Sequence, residues 1–185
     1  MPCETAATRP ESFSAARRGF VILAAALALA ACTPKKEAAD ATPGAPEPQS
    51  EQSRAYMAKV AKAPGVVVLP SGLAYKVVRS GPATGLKPRK GDEVKVHYEG
   101  KLEDGTVFDS SYERGQPAAM PLDKLVPGWM EALPLMRPGD EWILYVPSNL
   151  GYGAQGQGPI PPGAPLIFRI ELIDVLPAPG RVQQG

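Results

Sequence analysis

Residues 94–111 read Val-Lys-Val-His-Tyr-Glu-Gly-Lys-Leu-Glu-Asp-Gly-Thr-Val-Phe-Asp-Ser-Ser. Val94, Val96 and Tyr98 alternate with Lys95, His97 and Glu99, the period of a strand with one buried face. Asp104-Gly105 follows, a strong signal for a tight hairpin turn. A hairpin there puts Tyr98 and Phe108 on neighbouring strands, with the carboxylate of Asp109 directly after Phe108.

The same period recurs outward from this stretch. Leu73, Tyr75 and Val77 alternate with Ala74, Lys76 and Val78. Leu166, Phe168, Ile170 and Leu172 alternate with Ile167, Arg169, Glu171 and Ile173. These patterns predict an antiparallel sheet with one face on a core. Trp142 to Val146 is apolar on both faces and reads as a central strand. Pro127-Gly128-Trp129 opens a short helical stretch toward Met136, since Pro suits a first helical turn. Pro134 lies inside that stretch and should shorten or distort it. Strands around one short helix indicate an α+β domain, taken as residues 64–177. Ahead of it, residues 51–63 carry Tyr56, Met57 and Val60 at helical spacing, with Ser50 as cap and Pro64-Gly65 as stop. That helix is expected to pack on the domain.

Gly151-Tyr152-Gly153-Ala154-Gln155-Gly156 is a literal GxGxxG. A dinucleotide fingerprint must open a helix. This one runs into Gly158-Pro159-Ile160-Pro161-Pro162, so it reads as a proline-stiffened flap carrying Tyr152 and Ile160.

Composition narrows the chemistry. Formal net charge is +1 over 185 residues, which gives no reason to expect nucleic acid. The two cysteines, Cys3 and Cys32, lie outside the folded part, so no disulfide framework is expected. The single histidine, His97, argues against a structural zinc site, and no metal or cofactor is expected.

Arg17-Arg18 precede an apolar run from Phe20 to Ala31. At about a dozen residues it is too short to span a membrane, which takes roughly 20. Residues 1–31 therefore read as a secretory signal. Leu29-Ala30-Ala31-Cys32 resembles a bacterial lipobox, which makes Cys32 the expected lipidation site. Residues 32–50 are rich in Pro and Ala and hold too little apolar surface to fold, so they read as a lipidated, disordered tether. The expected location is the cell envelope, anchored by lipid to a bacterial membrane. Thr33 resembles the pattern sorted to the outer membrane, on the periplasmic side. Residues 178–185 read as a disordered tail.

Eight of the twelve aromatic residues fall between Tyr98 and Phe168, with no nucleophile or metal cluster among them. Such a set suits a dry, shaped pocket. Six stretches carry a resemblance. They are Val96-His97-Tyr98-Glu99-Gly100, Asp104 to Ser111, Val126-Pro127-Gly128-Trp129, Gly151-Tyr152-Gly153, and Ile160-Pro161-Pro162 with Leu166-Ile167-Phe168. In this order and at this spacing the chain resembles the FKBP-type peptidyl-prolyl isomerases over about Ser71 to Val175. Leu69-Pro70-Ser71-Gly72-Leu73 looks most like the bacterial subgroup that includes macrophage infectivity potentiators.

The resemblance implies a five-stranded antiparallel sheet, a half-barrel curved around one short helix. It implies isomerisation of X-Pro bonds in exported polypeptides, without a covalent intermediate. It implies Trp129 as the pocket floor under a proline ring, with Tyr98, Phe108, Val126, Ile160 and Phe168 as walls. Asp109 and Tyr152 would supply polar contacts, and Leu125 and Val126 would meet substrate. Macrolide inhibitors of the family become expected ligands. The subgroup's long N-terminal dimerisation helices have no counterpart here, so a monomer is expected. Ala118 and Met120 stand where many relatives carry a bulky aromatic, Lys124 where an acidic residue is common, and Gln157 near a frequent His. These departures keep a second reading open: an envelope chaperone or binding module with little isomerase activity.

Overall fold

The computed structural model describes residues 49–180. The expected signal segment, Cys32, nearly all of the tether and the last five residues lie outside the described residues. Seven strands and two helices make up the described part. In chain order they are α1 (Glu51–Val60), β1 (Val66–Val68), β2 (Ala74–Arg79), β3 (Glu93–Leu102), β4 (Val107–Ser110), β5 (Ala118–Pro121), α2 (Pro127–Ala132), β6 (Glu141–Val146) and β7 (Leu166–Leu176).

The strands form one open antiparallel sheet in the order β1-β2-β6-β7-β3-β4, with β5 also paired to β3. The α+β class stands, but the strand count is seven where five were expected. The strand beside β3 is broken in two. β4 covers the Glu99–Lys101 end of β3 and β5 covers the Glu93–Val96 end. Between them the chain turns at Gly115, whose φ of 70° interrupts the ladder. The seventh strand is the Val66–Val68 triplet, which extends the sheet beyond β2.

Alternation sorts the two faces. Val94, Val96 and Tyr98 of β3, Leu144 and Val146 of β6, and Phe168, Ile170 and Leu172 of β7 meet Trp129, Ala132 and Leu133 in one core. Each large aliphatic side chain buried there contributes about 1.5–3 kcal/mol. β6 sits between β2 and β7, the central place its doubly apolar sequence required. The side chains one residue out of phase, Ala74 and Tyr145, form a smaller cluster with Met57 and Val60 of α1. The two helices therefore pack on opposite faces of the sheet.

Local sequence explains the ends of α2. Pro127 occupies its first turn, and Pro134 cannot donate to the preceding turn. The helix stops at Ala132 and tightens into a 3-10 turn over Leu133–Leu135. Gly128 lets the helix approach β6, since a Cβ there would lie 2.7 Å from Val146 Cγ1.

Candidate functional site

The hairpin predicted at Asp104-Gly105 forms, with Gly105 at φ 89° and the Leu102 N–H donating to the Thr106 carbonyl at 2.9 Å. Asp104 Oδ1 accepts from the Thr106 N–H at 2.8 Å and fixes the turn. Tyr98 and Phe108 thereby reach one cavity. α2 delivers Trp129, β7 delivers Phe168, and the segment between β6 and β7 delivers Tyr152.

The cavity holds about 300 Å³ and opens to solvent. Tyr98, Phe108, Asp109, Leu125, Val126, Trp129, Tyr152 and Phe168 all line it, so eight of the expected site residues converge. Trp129 is 4% exposed and stands edge-on to two neighbours. Its ring centroid is 5.3 Å from Tyr98 at 83° and 5.1 Å from Phe168 at 86°. Phe108 meets Phe168 at 5.6 Å and 90°. Edge-to-face contacts at these distances are favourable quadrupole geometries that hold each ring in place. Gly100 is required behind them. A Cβ there would lie 2.6 Å from Phe108 Cζ and 2.9 Å from Phe168 Cε1.

Ile160 does not join the wall. It is buried in the core cluster, and its backbone pairs with Gln157, which lines the cavity. Met120, Lys124 and Gln157, three of the positions where the sequence departs from the family pattern, also line the cavity.

The polar end of the cup is a trio. The Tyr98 hydroxyl donates to Asp109 Oδ2, and Arg114 donates from Nη1 to Asp109 Oδ1. Arg114 Nη2 also donates to the Tyr98 hydroxyl at 2.9 Å. Burial acts to raise the Asp109 pKa, but the hydrogen bonds from Tyr98 and Arg114 outweigh it and hold the carboxyl below its usual range. Burial, then the bond to Asp109, pushes the Tyr98 hydroxyl up, while Arg114 opposes both. Tyr152 is also raised, by burial and then by the charge of Asp109. At neutral pH the cup thus presents two neutral phenols and one anchored carboxylate.

Sequence reasoning missed Arg114. Its signal is faint, a cation just before the turning Gly115. Its position depends on contacts far off in sequence. Tyr112 stacks on His97 at 4.7 Å, and Ser111 Oγ accepts from the Tyr98 N–H at 2.7 Å. His97 Nδ1 is 2.9 Å from the same oxygen, which places it in structural support behind the cup.

The Gly151–Gly156 run does not start a helix. It forms turns closed by the Gly156 N–H on the Tyr152 carbonyl. Among the described residues there is no His/Cys/Asp/Glu group that could hold a metal ion.

Comparison with known proteins adds the following. Residues 85–173 match the model for FKBP-type peptidyl-prolyl cis-trans isomerases, and residues 22–77 match the domain amino-terminal to such isomerases. The chain is 51% identical over 127 residues to the peptidyl-prolyl cis-trans isomerase Mip of Coxiella burnetii, covering 68% of this chain and 54% of that protein. It is 47% identical over 130 residues to the outer membrane protein MIP of Legionella longbeachae, covering 70% and 55%. The crystal structure of a peptidyl-prolyl cis-trans isomerase from Pseudomonas syringae pv. tomato is similar, with a TM-score of 0.63 and 40% identity. That match covers 68% of this chain and 91% of the other. The chain spans about half the length of the curated relatives it matches.

Proposed function

The chain belongs to the FKBP-type peptidyl-prolyl cis-trans isomerase family, and from that premise we propose that its aromatic cup receives a proline ring and speeds rotation about the X-Pro bond. One observation carries this reading: Trp129, 4% exposed, lines a cavity of about 300 Å³ and is held edge-on by Tyr98 and Phe168. A pyrrolidine ring fits such a floor, and no bond-making group is needed beside it.

The barrier to amide rotation is ~18–20 kcal/mol because twisting breaks conjugation. For X-Pro bonds the uncatalysed exchange takes tens to hundreds of seconds. The planar amide is more dipolar than the twisted one, so water favours the ground state. A cup walled by Phe108, Phe168 and Tyr98 removes that water and presents ring edges to the turned carbonyl. This is preferential binding of the transition state. Lowering the barrier by roughly 5–7 kcal/mol gives on the order of 10⁴–10⁵-fold. Val126 offers a backbone N–H at the start of α2, and the neutral Tyr152 hydroxyl donates to a flanking substrate carbonyl. Asp109 orients Tyr98 and takes no proton.

The substrates on this reading are proline-containing polypeptides of the cell envelope, and macrolides compete for the cup. A relative named as an outer membrane protein supports the envelope. Residues 1–31 would be removed on export, leaving Cys32 as a lipidated first residue on a tether to residue 50. The mature chain would act as a monomer on the periplasmic side of the outer membrane.

The test is a prolyl-peptide isomerisation assay on the full chain, with and without a macrolide. Saturable activity that the macrolide abolishes is expected, and Trp129→Ala should fall at least about 10-fold in kcat/KM. A folded wild-type chain at background rate would remove the enzyme reading and leave a binding module that recognises proline without turning it.

A further inference from the structure

The segment between β6 and β7 carries Tyr152 and Gln157 into the cup, yet its two roots are tied to α1 on the other face of the sheet. At the first root, the Ser148 N–H donates to Ser53 Oγ at 2.9 Å, and Ser148 Oγ accepts from the Ser50 N–H at 3.1 Å. At the second root, Ser50 Oγ donates to the Gly163 carbonyl. The same Ser50 oxygen accepts from the Ser53 N–H at 3.0 Å, which caps the helix. Ser53 and Ser148 are 0% and 2% exposed, so the bond between them is shielded from water, while those of Ser50 are partly buried.

Between its roots the flap is braced by its own backbone bonds. Gly163 donates to the Gly153 carbonyl at 2.9 Å, and Gly153 donates to the Ser148 carbonyl at 2.8 Å. Gln157 and Ile160 exchange backbone bonds at 3.0 and 2.9 Å. Gly156 permits the tip, because a Cβ would lie 2.3 Å from the Ile160 carbonyl oxygen. A segment braced in this way takes its orientation from where it is held. Gly163 is fitted to that hold: its φ is +71°, and a Cβ would lie 2.8 Å from Ser50 Cβ.

We propose that the first turn of α1 is a positioning element for the cup: Ser50 and Ser53 set the flap, and through it the stance of Tyr152 and Gln157 against substrate. This deepens the isomerase reading and rests on it. Ser50 stands at the N-cap of α1, at the point where both flap roots are tied, so the first turn of the helix bears on the reaction through two serine hydroxyls.

The hydroxyl of Ser50 does two jobs that substitution can separate. Ser50→Asp keeps a strong helix cap, but a carboxylate cannot donate to the Gly163 carbonyl and repels it. Ser50→Thr keeps both functions. The experiment compares these variants in the full chain by amide hydrogen exchange and by prolyl-peptide kinetics. In Ser50→Asp the Gly153 and Gly163 amides should exchange about tenfold faster, while α1 amides stay protected. kcat/KM should drop roughly three- to tenfold, and the drop should shrink by more than half in a Tyr152→Phe background. Ser50→Thr should match wild type in both readouts. Unchanged flap exchange in Ser50→Asp overturns the proposal. So does an equal activity loss in the Tyr152→Phe background, or an equal loss in Ser50→Thr. Were the wild type inactive, the isomerase reading would fall alone, and the exchange data would still decide whether α1 holds the flap.

Discussion

Asp109 is the residue at which three side chains settle one another's charge. It accepts from Tyr98 and from Arg114, and its side chain is 42% exposed. That exposure limits its worth to the fold. Screened by solvent, the pair with Arg114 contributes about 0–1 kcal/mol. Its worth to the cup is orientation, because the Tyr98 ring it anchors is also the ring against Trp129. Asp109→Asn should therefore lower kcat/KM by roughly three- to tenfold while leaving folding nearly intact. The pH dependence follows from the depressed pKa. A carboxyl held lower in the folded than in the unfolded chain stabilises fully above its unfolded value of about 3.9, and that stability is lost as pH falls through the folded value. Urea midpoints for wild type and Asp109→Asn should keep a constant gap at roughly pH 5–6 and converge below about pH 4. A gap that widens toward acid would mean the carboxyl is not ion-paired as described.

At the scale of elements, the flap brings Tyr152 and Gln157 to the cavity, while α2, β3 and β7 bring Trp129, Tyr98 and Phe168; on the reading we propose, the first serves specificity and the second the floor. The two separate under mutation. Gly156→Ala forces a left-handed residue (φ +66°) and drives a Cβ into the Ile160 carbonyl. The flap tip must open to accept it. The atoms nearest the new Cβ are flap backbone atoms of Ile160, Pro161 and Pro162, so KM for peptide should rise severalfold with Tm lowered by only a few degrees. A collapse of Tm instead would mean the flap is part of the cooperative core. This division also decides what could be read from sequence. The Asp104-Gly105 hairpin and the alternation in β3 and β7 were legible because their causes are local: a turn needing positive φ, and a side-chain period of two. Pro127 and Pro134 likewise told where α2 starts and fails. Arg114 was not legible, since its place depends on Tyr112 stacking on His97 across the sheet. Nor was the bridge between Gln157 and Ile160 inside the flap, which pairs residues across the turn. The split of one strand into β4 and β5 depends on a turn whose effect on pairing appears only once β3 lies beside it.

At the scale of the whole molecule, the envelope location we propose needs a means of retention. No helix among the described residues is long and apolar enough to cross a membrane. The run from Phe20 to Ala31 would rise only about 18 Å as a helix, against a hydrocarbon core of about 30 Å. On the reading we propose, retention at a membrane comes from acyl chains on Cys32. A single chain binds only marginally, whereas two or more chains anchor stably at about 0.8 kcal/mol per buried CH₂. The cup is built from residues 98–168, far along the chain from that anchor, and its floor needs nothing before α1. Anchoring and catalysis should therefore come apart. When the full chain is expressed in a lipoprotein-processing bacterium, wild type should label with palmitate and partition into detergent. Cys32→Ser should do neither, yet keep its kcat/KM within about twofold. Detergent partitioning that survives Cys32→Ser would locate the anchor elsewhere and sink the lipoprotein reading, while leaving the aromatic cup as it stands.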